Sequence, residues 1–258
     1  MLAADAVQSA TEARLAMRRG EWTGITTHKL PGCVQCNLVV LPKADAFDFL
    51  VFCQRNPKAC PVIEVTDPGD PQPRFCAPGA DLRTDLARYA VYRHGKLAEE
   101  VSDIRHLWRD DLVAFLIGSS LTFDHALERA GVPRSQVWVL DTTIPTIPAG
   151  KFSGPLVVTM RWMTPAQAVI ATQLTTRFPF NHGAPVHVGD PSLIGADLEH
   201  PLYGPVVAQI PKDVMPVFWA CGVTPQRVAL ASKIEFMITH VSGHGFITDL
   251  KADQFCLP

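Results

Sequence analysis

The sequence has no long apolar run and no marked excess of charge of either sign. Its longest stretch without Asp, Glu, Lys or Arg covers 15 residues, Trp162 to Thr176, and contains Thr, Gln and Pro. A membrane-spanning helix needs about 20 apolar residues, so no transmembrane segment is expected. With 23 Lys and Arg against 25 Asp and Glu, the net charge is −2. Nucleic acid and membrane surfaces are therefore not expected as partners.

The common signatures of nucleotide binding and hydrolysis are also missing. The chain has no Walker A motif, GxGxxG, GxSxG or HExxH, so P-loop, dinucleotide, α/β-hydrolase and zincin sites are not indicated. It has no internal repeat and no low-complexity segment. With 258 residues, 47% of them hydrophobic and 19% charged, the composition is that of a globular protein with a sizeable core.

Cysteine occurs in an odd number, seven. An odd count, with no recognisable secretory signal, indicates reduced thiols and predicts a cytoplasmic location. Cys33 and Cys36 form a CxxC, but no second pair follows at zinc-ribbon spacing, so buried, inert thiols are favoured. Cys221 has a claim to chemistry, although packing is favoured for it as well.

The order of predicted elements is typical of an α/β protein. An Ala-rich helix stops at Gly20. Strands are predicted at 37–41 and 62–65, on either side of a helix at 44–54, and a β-hairpin is predicted at 88–101. Strand, helix and strand in this order favour α/β layering.

The middle of the chain predicts a smaller unit. Capping residues and periodicity give two helices, two strands and a further helix, at 112–117, 123–130, 137–140, 156–160 and 165–175. We therefore expect an αββα domain at 106–178, inserted into a main α/β domain made of 1–105 and 179–258.

The last third carries three polar stretches punctuated by glycine and proline, at 181–191, 218–226 and 239–249. Glycine lets backbone approach a ligand and proline holds a loop in place, so these stretches predict a rigid site built from loops. They hold the side chains that we predict to be catalytic: His182, His187, His240, His244, Asp190 and Asp249. The same side chains could bind a divalent metal ion. The glycines on either side of His244 argue against a zinc-binding helix, and the sequence indicates no particular cofactor.

Candidate substrate contacts lie earlier in the chain. Asp81, Arg83 and Asp85 alternate, so an extended segment would place them on one face. Two interpretations stay open. One is a local salt-bridge knot in a turn. The other is a clamp in which Asp81, Arg83 and Thr84 orient a zwitterionic substrate, with Arg83 binding its carboxylate and Asp81 receiving its ammonium. Arg55, after the buried helix, is a second candidate carboxylate anchor.

Several longer strings resemble one family. They are Cys53-Gln-Arg-Asn-Pro-Lys-Ala-Cys-Pro61, Glu64-Val-Thr-Asp-Pro-Gly-Asp70, Pro78-Gly-Ala-Asp-Leu-Arg-Thr-Asp85, Leu107-Trp-Arg-Asp-Asp-Leu-Val-Ala-Phe-Leu-Ile-Gly118, His182-Gly-Ala-Pro-Val-His187 and Phe218-Trp-Ala-Cys-Gly-Val-Thr-Pro-Gln226. Together they resemble the D-glutamate cyclase family, and the likeness runs from about Arg18 to Leu250.

The resemblance implies a hydro-lyase that dehydrates D-glutamate to 5-oxo-D-proline by lactam closure. It also implies a three-layer α/β/α domain with a smaller two-layer α-β sandwich domain. Lactam closure needs an anchored carboxylate, an acid/base group and donors for the oxyanion. We predict substrate binding by Arg55, Asp81, Arg83, Thr84, Gln35, Asn37, Cys221 and Thr224.

Other functions stay open. The chain could be a hydratase or dehydratase of another small carboxylic acid, with or without a metal, or a small-acid binding protein without turnover. The expected partner is a small amino acid or carboxylic acid, and a homo-oligomer is compatible with the sequence.

Overall fold

The computed structural model describes residues 7–258. These residues form two β-sheets, both antiparallel. Within these residues the helices are α1 (Ala10–Arg18), α2 (Lys43–Arg55), α3 (Asp124–Arg129), α4 (Pro165–Thr176) and α5 (Thr224–Ala231). The strands are β1 (Cys33–Pro42), β2 (Val62–Val65), β3 (Tyr89–Arg93), β4 (Lys96–Val101), β5 (Leu112–Gly118), β6 (Trp138–Pro145), β7 (Pro155–Met163), β8 (His187–Val188), β9 (Met215–Ala220), β10 (Phe236–His240) and β11 (Phe246–Lys251). The mixed α/β class is confirmed, and the three-layer stacking stays a prediction.

The larger sheet has the order β2-β5-β1-β10-β3-β4, with β11 beside β1. Its centre is β1, which pairs with β5 from Cys36 to Pro42. The prediction of a helix over 112–117 is wrong, because this segment is strand β5. Every residue of β5 is buried, and a strand buried on both faces loses the apolar and polar alternation that identifies a strand.

The smaller sheet has the order β6-β7-β9-β8. The strands predicted at 137–140 and 156–160 are confirmed within β6 and β7, and the helices predicted at 123–130 and 165–175 correspond to α3 and α4. A capping box between Thr164 and Gln167 starts α4. Strand β5 lies in the larger sheet, while β8 and β9 lie in the smaller one. The division at 106 and 178 into two domains stays a prediction.

The faces of the two sheets decide where side chains of β1 point. Val39 and Leu41 of β1 share one apolar cluster with Val158 and Met160 of β7, and residues of α2 and α5 belong to the same cluster. Successive residues of a strand alternate between faces. Gln35 and Asn37 therefore continue the face of β1 that looks toward the smaller sheet.

No helix among residues 7–258 is a candidate for a membrane span. None of the helices there combines the length and the apolar character needed to cross a bilayer.

Candidate active site

Strand ends from different parts of the chain meet beside the first half of β1. Strands β5 and β10 both run antiparallel to β1, so their C-terminal ends lie near Cys36 and Leu38. The turn between β9 and α5 reaches the same place, because a Cβ added to Gly222 would lie 2.1 Å from Nδ2 of Asn37. These four segments contribute the candidate site.

His240 ends β10 and faces the backbone of β1. Its Nδ1 accepts a hydrogen bond from the N–H of Leu38 at 3.2 Å. A ring nitrogen that accepts from a backbone N–H carries no proton, so the neutral imidazole holds its proton on Nε2. Burial lowers the pKa of His240 to about 4 and outweighs the hydrogen bond with Leu38, which acts in the opposite direction. His240 is therefore a neutral hydrogen-bond donor through Nε2.

His244 has the opposite arrangement of protons. Its Nδ1 lies 2.9 Å from the carbonyl oxygen of Ser242. A carbonyl can only accept, so the neutral ring carries its proton on Nδ1 and has a free lone pair on Nε2. His244 is 9% exposed and lies within electrostatic range of His240. The two rings thus contact the backbone in opposite ways: Nδ1 of His240 accepts a hydrogen bond and Nδ1 of His244 donates one.

Gln35 connects this loop to the segment before β1. Its Nε2 donates to the carbonyl oxygens of Thr26 and Lys29, both at 3.1 Å. Its Oε1 is buried and has no hydrogen-bond partner within residues 7–258. That oxygen lies 3.7 Å from the position a Cβ would take on Gly245. An unpaired buried acceptor is costly, so Oε1 is available to a ligand or a water.

Asn37 occupies the gap between β5 and the β9–α5 turn. Its Nδ2 donates to the carbonyl oxygen of Gly118 at 3.0 Å. Gly118 and Gly222, which flank Asn37, each lie too close to another segment to carry a side chain. A Cβ on Gly118 would lie 1.8 Å from the carbonyl oxygen of Phe180, and one on Gly222 would overlap Asn37. The glycines let three segments close around one amide side chain.

Asn181 and His182 close the far side. Nδ2 of Asn181 donates to Oγ1 of Thr122 at 3.0 Å, and the same Oγ1 accepts from the N–H of Gln35 at 3.3 Å. Nδ1 of His182 lies 2.9 Å from the carbonyl oxygen of Lys58, which fixes the proton on Nδ1. Burial lowers the pKa of His182 to about 4.

Cys221 and Thr224 flank the turn after β9. Burial raises the pKa of the Cys221 thiol, and a hydrogen bond with Thr159 offsets this only in part. The thiol is therefore protonated at neutral pH and unsuited to attack as a thiolate. Oγ1 of Thr224 accepts from the N–H of Val157 at 3.0 Å, which makes it a tether between α5 and β7.

The predicted clamp residues have other partners. Arg83 binds both carboxylate oxygens of Asp81, at 2.9 and 2.8 Å, and the hydroxyl of Thr84 donates to Asp85. This arrangement is the local salt-bridge knot that the sequence left open. The guanidinium of Arg55 is exposed and donates to the carbonyl oxygen of Pro148. None of these contacts connects to the His240 loop within the described residues.

Three further candidates also have structural partners. His187 lies 2.8 Å, through Nε2, from the carbonyl oxygen of Asp190, and the carboxylate of Asp190 accepts from the N–H of Ser192. Asp249 accepts two hydrogen bonds from Arg14, both at 3.0 Å. The structure therefore brings together Gln35, Asn37, Cys221, Thr224, His240 and His244 beside the first half of β1. The ring of His182, which follows Asn181, contacts the backbone of Lys58. The remaining candidates lie in other contacts: Arg55, Asp81, Arg83, Thr84, His187, Asp190 and Asp249.

Sequence reasoning missed several polar residues of this region. Thr122 accepts hydrogen bonds from Asn181 and from the N–H of Gln35. Asp124, two residues after Thr122, forms a buried ion pair with Arg161. A lone arginine inside the apolar strand β7 was a signal for Arg161. Among residues 7–258, no three His, Cys, Asp or Glu side chains are grouped as ligands for a metal ion, and all seven cysteines are free.

Comparison with known proteins gives first a class and then a family. A protein named "Putative hydro-lyase" from Bacillus licheniformis is 51% identical over 95% of this chain and 95% of its own length. Proteins with the same name from Geobacillus kaustophilus and Bordetella pertussis are 52% and 54% identical, covering 96% and 93% of this chain and 97% and 88% of their own. The family described as D-glutamate cyclase matches residues 113–249. The chain belongs to the D-glutamate cyclase family, as its sequence strings predicted.

A solved nitrogen repressor-like protein from Methanococcus jannaschii aligns with 95% of this chain and 98% of its own. Its TM-score is 0.42 at 13% identity. A likeness of this size carries no argument about the present fold or site.

Proposed function

We propose that this protein is a hydro-lyase that dehydrates D-glutamate to 5-oxo-D-proline. Family membership and the hydro-lyase names of its relatives support the class of reaction. The observation that carries the proposal is the pair of imidazoles, His240 and His244, whose Nδ1 atoms have opposite partners: an N–H donor for His240 and a carbonyl acceptor for His244. Dehydration needs a donor and a base of this kind in one site.

Lactam closure moves two protons from nitrogen to oxygen. The amine nitrogen attacks the distal carboxyl carbon, the new C–N bond forms, and a C–O bond breaks. Nε2 of His244 takes the protons that the nitrogen loses and passes them to the departing oxygen, which leaves as water. The product keeps the α-carboxylate, so charge and atoms balance.

A carboxylate is a poor electrophile, and stabilising the oxyanion lowers the main barrier. Nε2–H of His240 donates to that oxygen. Its low pKa keeps the ring neutral, so it acts as a hydrogen-bond donor that does not transfer its proton. The unpaired Oε1 of Gln35 accepts from an N–H of the substrate, which holds the chain curled for attack.

The test is to incubate the protein with D-glutamate and L-glutamate and to measure 5-oxoproline by chiral chromatography. Asparagine places a polar atom close to Nδ1 of histidine, so His240→Asn keeps an acceptor for Leu38 and His244→Asn keeps a donor for Ser242. Each removes Nε2, and each should lower turnover by about tenfold or more. His200→Asn, at an exposed side chain, is the matched control.

The possible outcomes separate the functions. Formation of 5-oxoproline from D-glutamate that falls by about tenfold or more in each Nε2-deleting variant supports the proposal. Ligand-induced thermal stabilisation without product would indicate a binding protein. Wild-type rates in both variants would refute this placement of the chemistry.

A further inference from the structure

Arg161 is one of two arginines that are buried among residues 7–258, the other being Arg14. It lies in the middle of β7, with its guanidinium carbon 5.6 Å from the ring centre of Phe123 and 5.7 Å from that of Trp219. Arg14 has its charge matched by Asp249 and the carbonyl oxygen of Ile247. The two buried guanidinium groups can therefore be compared directly.

Some of the hydrogen-bond donors of Arg161 have no acceptor among residues 7–258. Its Nη1 lies 2.6 Å from Oδ1 of Asp124, in a pair whose side chains are 6% and 4% exposed. Its Nε and Nη2 are buried and have no hydrogen-bond partner in the described part of the chain. Buried donors on a charged group are expensive to leave unpaired, so this edge of the guanidinium calls for an acceptor.

The same edge binds carboxylates elsewhere in this protein. Nε and Nη2 of Arg18 hold the two oxygens of Asp85 at 2.7 and 2.6 Å. Arg83 and Arg227 use the same two atoms on Asp81 and Asp141. This fork matches the geometry of a carboxylate. In Arg161 the fork is buried and has no hydrogen-bond partner among residues 7–258.

Arg161 belongs to the neighbourhood of the candidate site. It shares a face of β7 with Thr159, two residues away, and Thr159 is hydrogen-bonded to the Cys221 thiol. Asp124 follows Thr122 by two residues, and the hydroxyl of Thr122 accepts from both Gln35 and Asn181. The ion pair therefore borders the hydrogen-bond network of Gln35, whose Oε1 lies beside Gly245, the residue after His244.

We propose that the Nε and Nη2 edge of Arg161 binds the α-carboxylate of the substrate, and that Asp124 orients this fork through Nη1. The proposal rests on the proposed function for the identity of the substrate as an α-amino acid. It assigns the carboxylate anchor to Arg161, since Arg55 and Arg83 have partners in other places.

Calorimetric titration with three probes tests the assignment. D-glutamate and glutarate both carry a carboxylate for the fork, whereas 4-aminobutyrate lacks the α-carboxylate. Arg161→Lys keeps the charge and removes the fork, so affinity for D-glutamate and glutarate should fall by about tenfold or more. Affinity for 4-aminobutyrate should not change. Arg227→Lys alters an exposed fork and is the matched control.

A second variant guards against loss of folding. Asp124→Asn combined with Arg161→Gln removes both buried charges at once and leaves neither unpaired. It should show the same selective loss for D-glutamate and glutarate.

Equal loss for all three probes, wild-type affinity in the variants, or a wild-type protein that binds none of the probes would overturn the assignment. Turnover is a separate readout. If the binding pattern is selective but no 5-oxoproline forms, the proposed reaction is refuted and the assignment of Arg161 as carboxylate anchor stands. If 5-oxoproline forms and Arg161→Lys leaves turnover unchanged, the anchor assignment is refuted and the proposed reaction stands.

Discussion

Acid should destabilise this protein over an unusually high pH range, because two histidines are buried as neutral rings. Burial lowers the pKa of His182 and of His240 from 6.5 to about 4. At a pH above 6.5, the pKa of histidine in the unfolded chain, both rings are neutral in the folded and the unfolded state and do not change the free energy of unfolding. As the pH falls below 6.5, the unfolded chain takes up protons that the folded protein refuses, so stability is lost until the pH reaches about 4.

The magnitude follows from the size of the shift. Each pH unit costs about 1.4 kcal/mol per histidine, so each ring removes about 3 kcal/mol over the full range. Both together remove about 6 kcal/mol, a large fraction of the stability of an ordinary domain. Burial raises the pKa of Glu64, but three backbone N–H donors from Arg74 to Cys76 outweigh it and lower that pKa. Such carboxylates contribute mainly below about pH 4.5, which leaves a window for the imidazoles.

The assay is urea unfolding followed between about pH 7 and about pH 4.5 for the wild type and for the variants. His182→Asn and His240→Asn keep a polar atom near Nδ1 and remove the titration, and asparagine tolerates the positive φ of 78° at position 182. The double variant should lose most of the pH slope in this window, whereas exposed His200→Asn should keep it. An equal slope in the wild type and the double variant would refute the reasoning.

Three further predictions concern the framework of the site. Gly118→Ala should lower the free energy of unfolding by about 2 kcal/mol or more, because its Cβ meets a backbone carbonyl that cannot turn aside. Gly24→Ala, where the nearest atom is 3.9 Å away, should stay within about 0.5 kcal/mol in the same chemical denaturation. Thr122→Val should cost about 1–3 kcal/mol by calorimetry, since two N–H donors lose their acceptor; a neutral result would contradict the network. Asp85→Ala should cost about 3 kcal/mol, because buried Asp85 accepts both donors of Arg18. Turnover per folded molecule should be unchanged in Asp85→Ala. A loss of turnover without a loss of folded protein would instead support the hypothesis that residues 81–85 bind the substrate.

Local patterns were sufficient for much of the framework. The helix at 44–54 and the hairpin at 88–101 have their own periodicity and turn residues, and the structure has both. The prediction of a helix at 112–117 was wrong because these residues are apolar on both faces and Asp110 is a suitable helix cap. The identity of this segment as a strand is set by pairing with β1, about 75 residues away.

The site was predictable where a loop carries its own chemistry. His240 and His244 stand out in a glycine-rich stretch, and Asn37 in an apolar strand. Whether a histidine is a donor or a base depends on one distant backbone group, such as the N–H of Leu38, and no local pattern shows that. The clamp at Asp81 and Arg83 looked equally suitable, because sequence spacing does not reveal that the two residues bind each other.

Strand β1 changes neighbours midway, from β11 beside Cys36 to β10 beside Val39. Its partners on that edge come from residues 236–251, some 200 positions later in the chain. During synthesis, β1 therefore keeps an open edge and an apolar surface until residues 236–251 have left the ribosome. The imidazole that caps Leu38 arrives with the same late segment. The candidate site is therefore complete only when β10 and β11 have joined the sheet, and chains without these strands would expose an edge that is prone to aggregation.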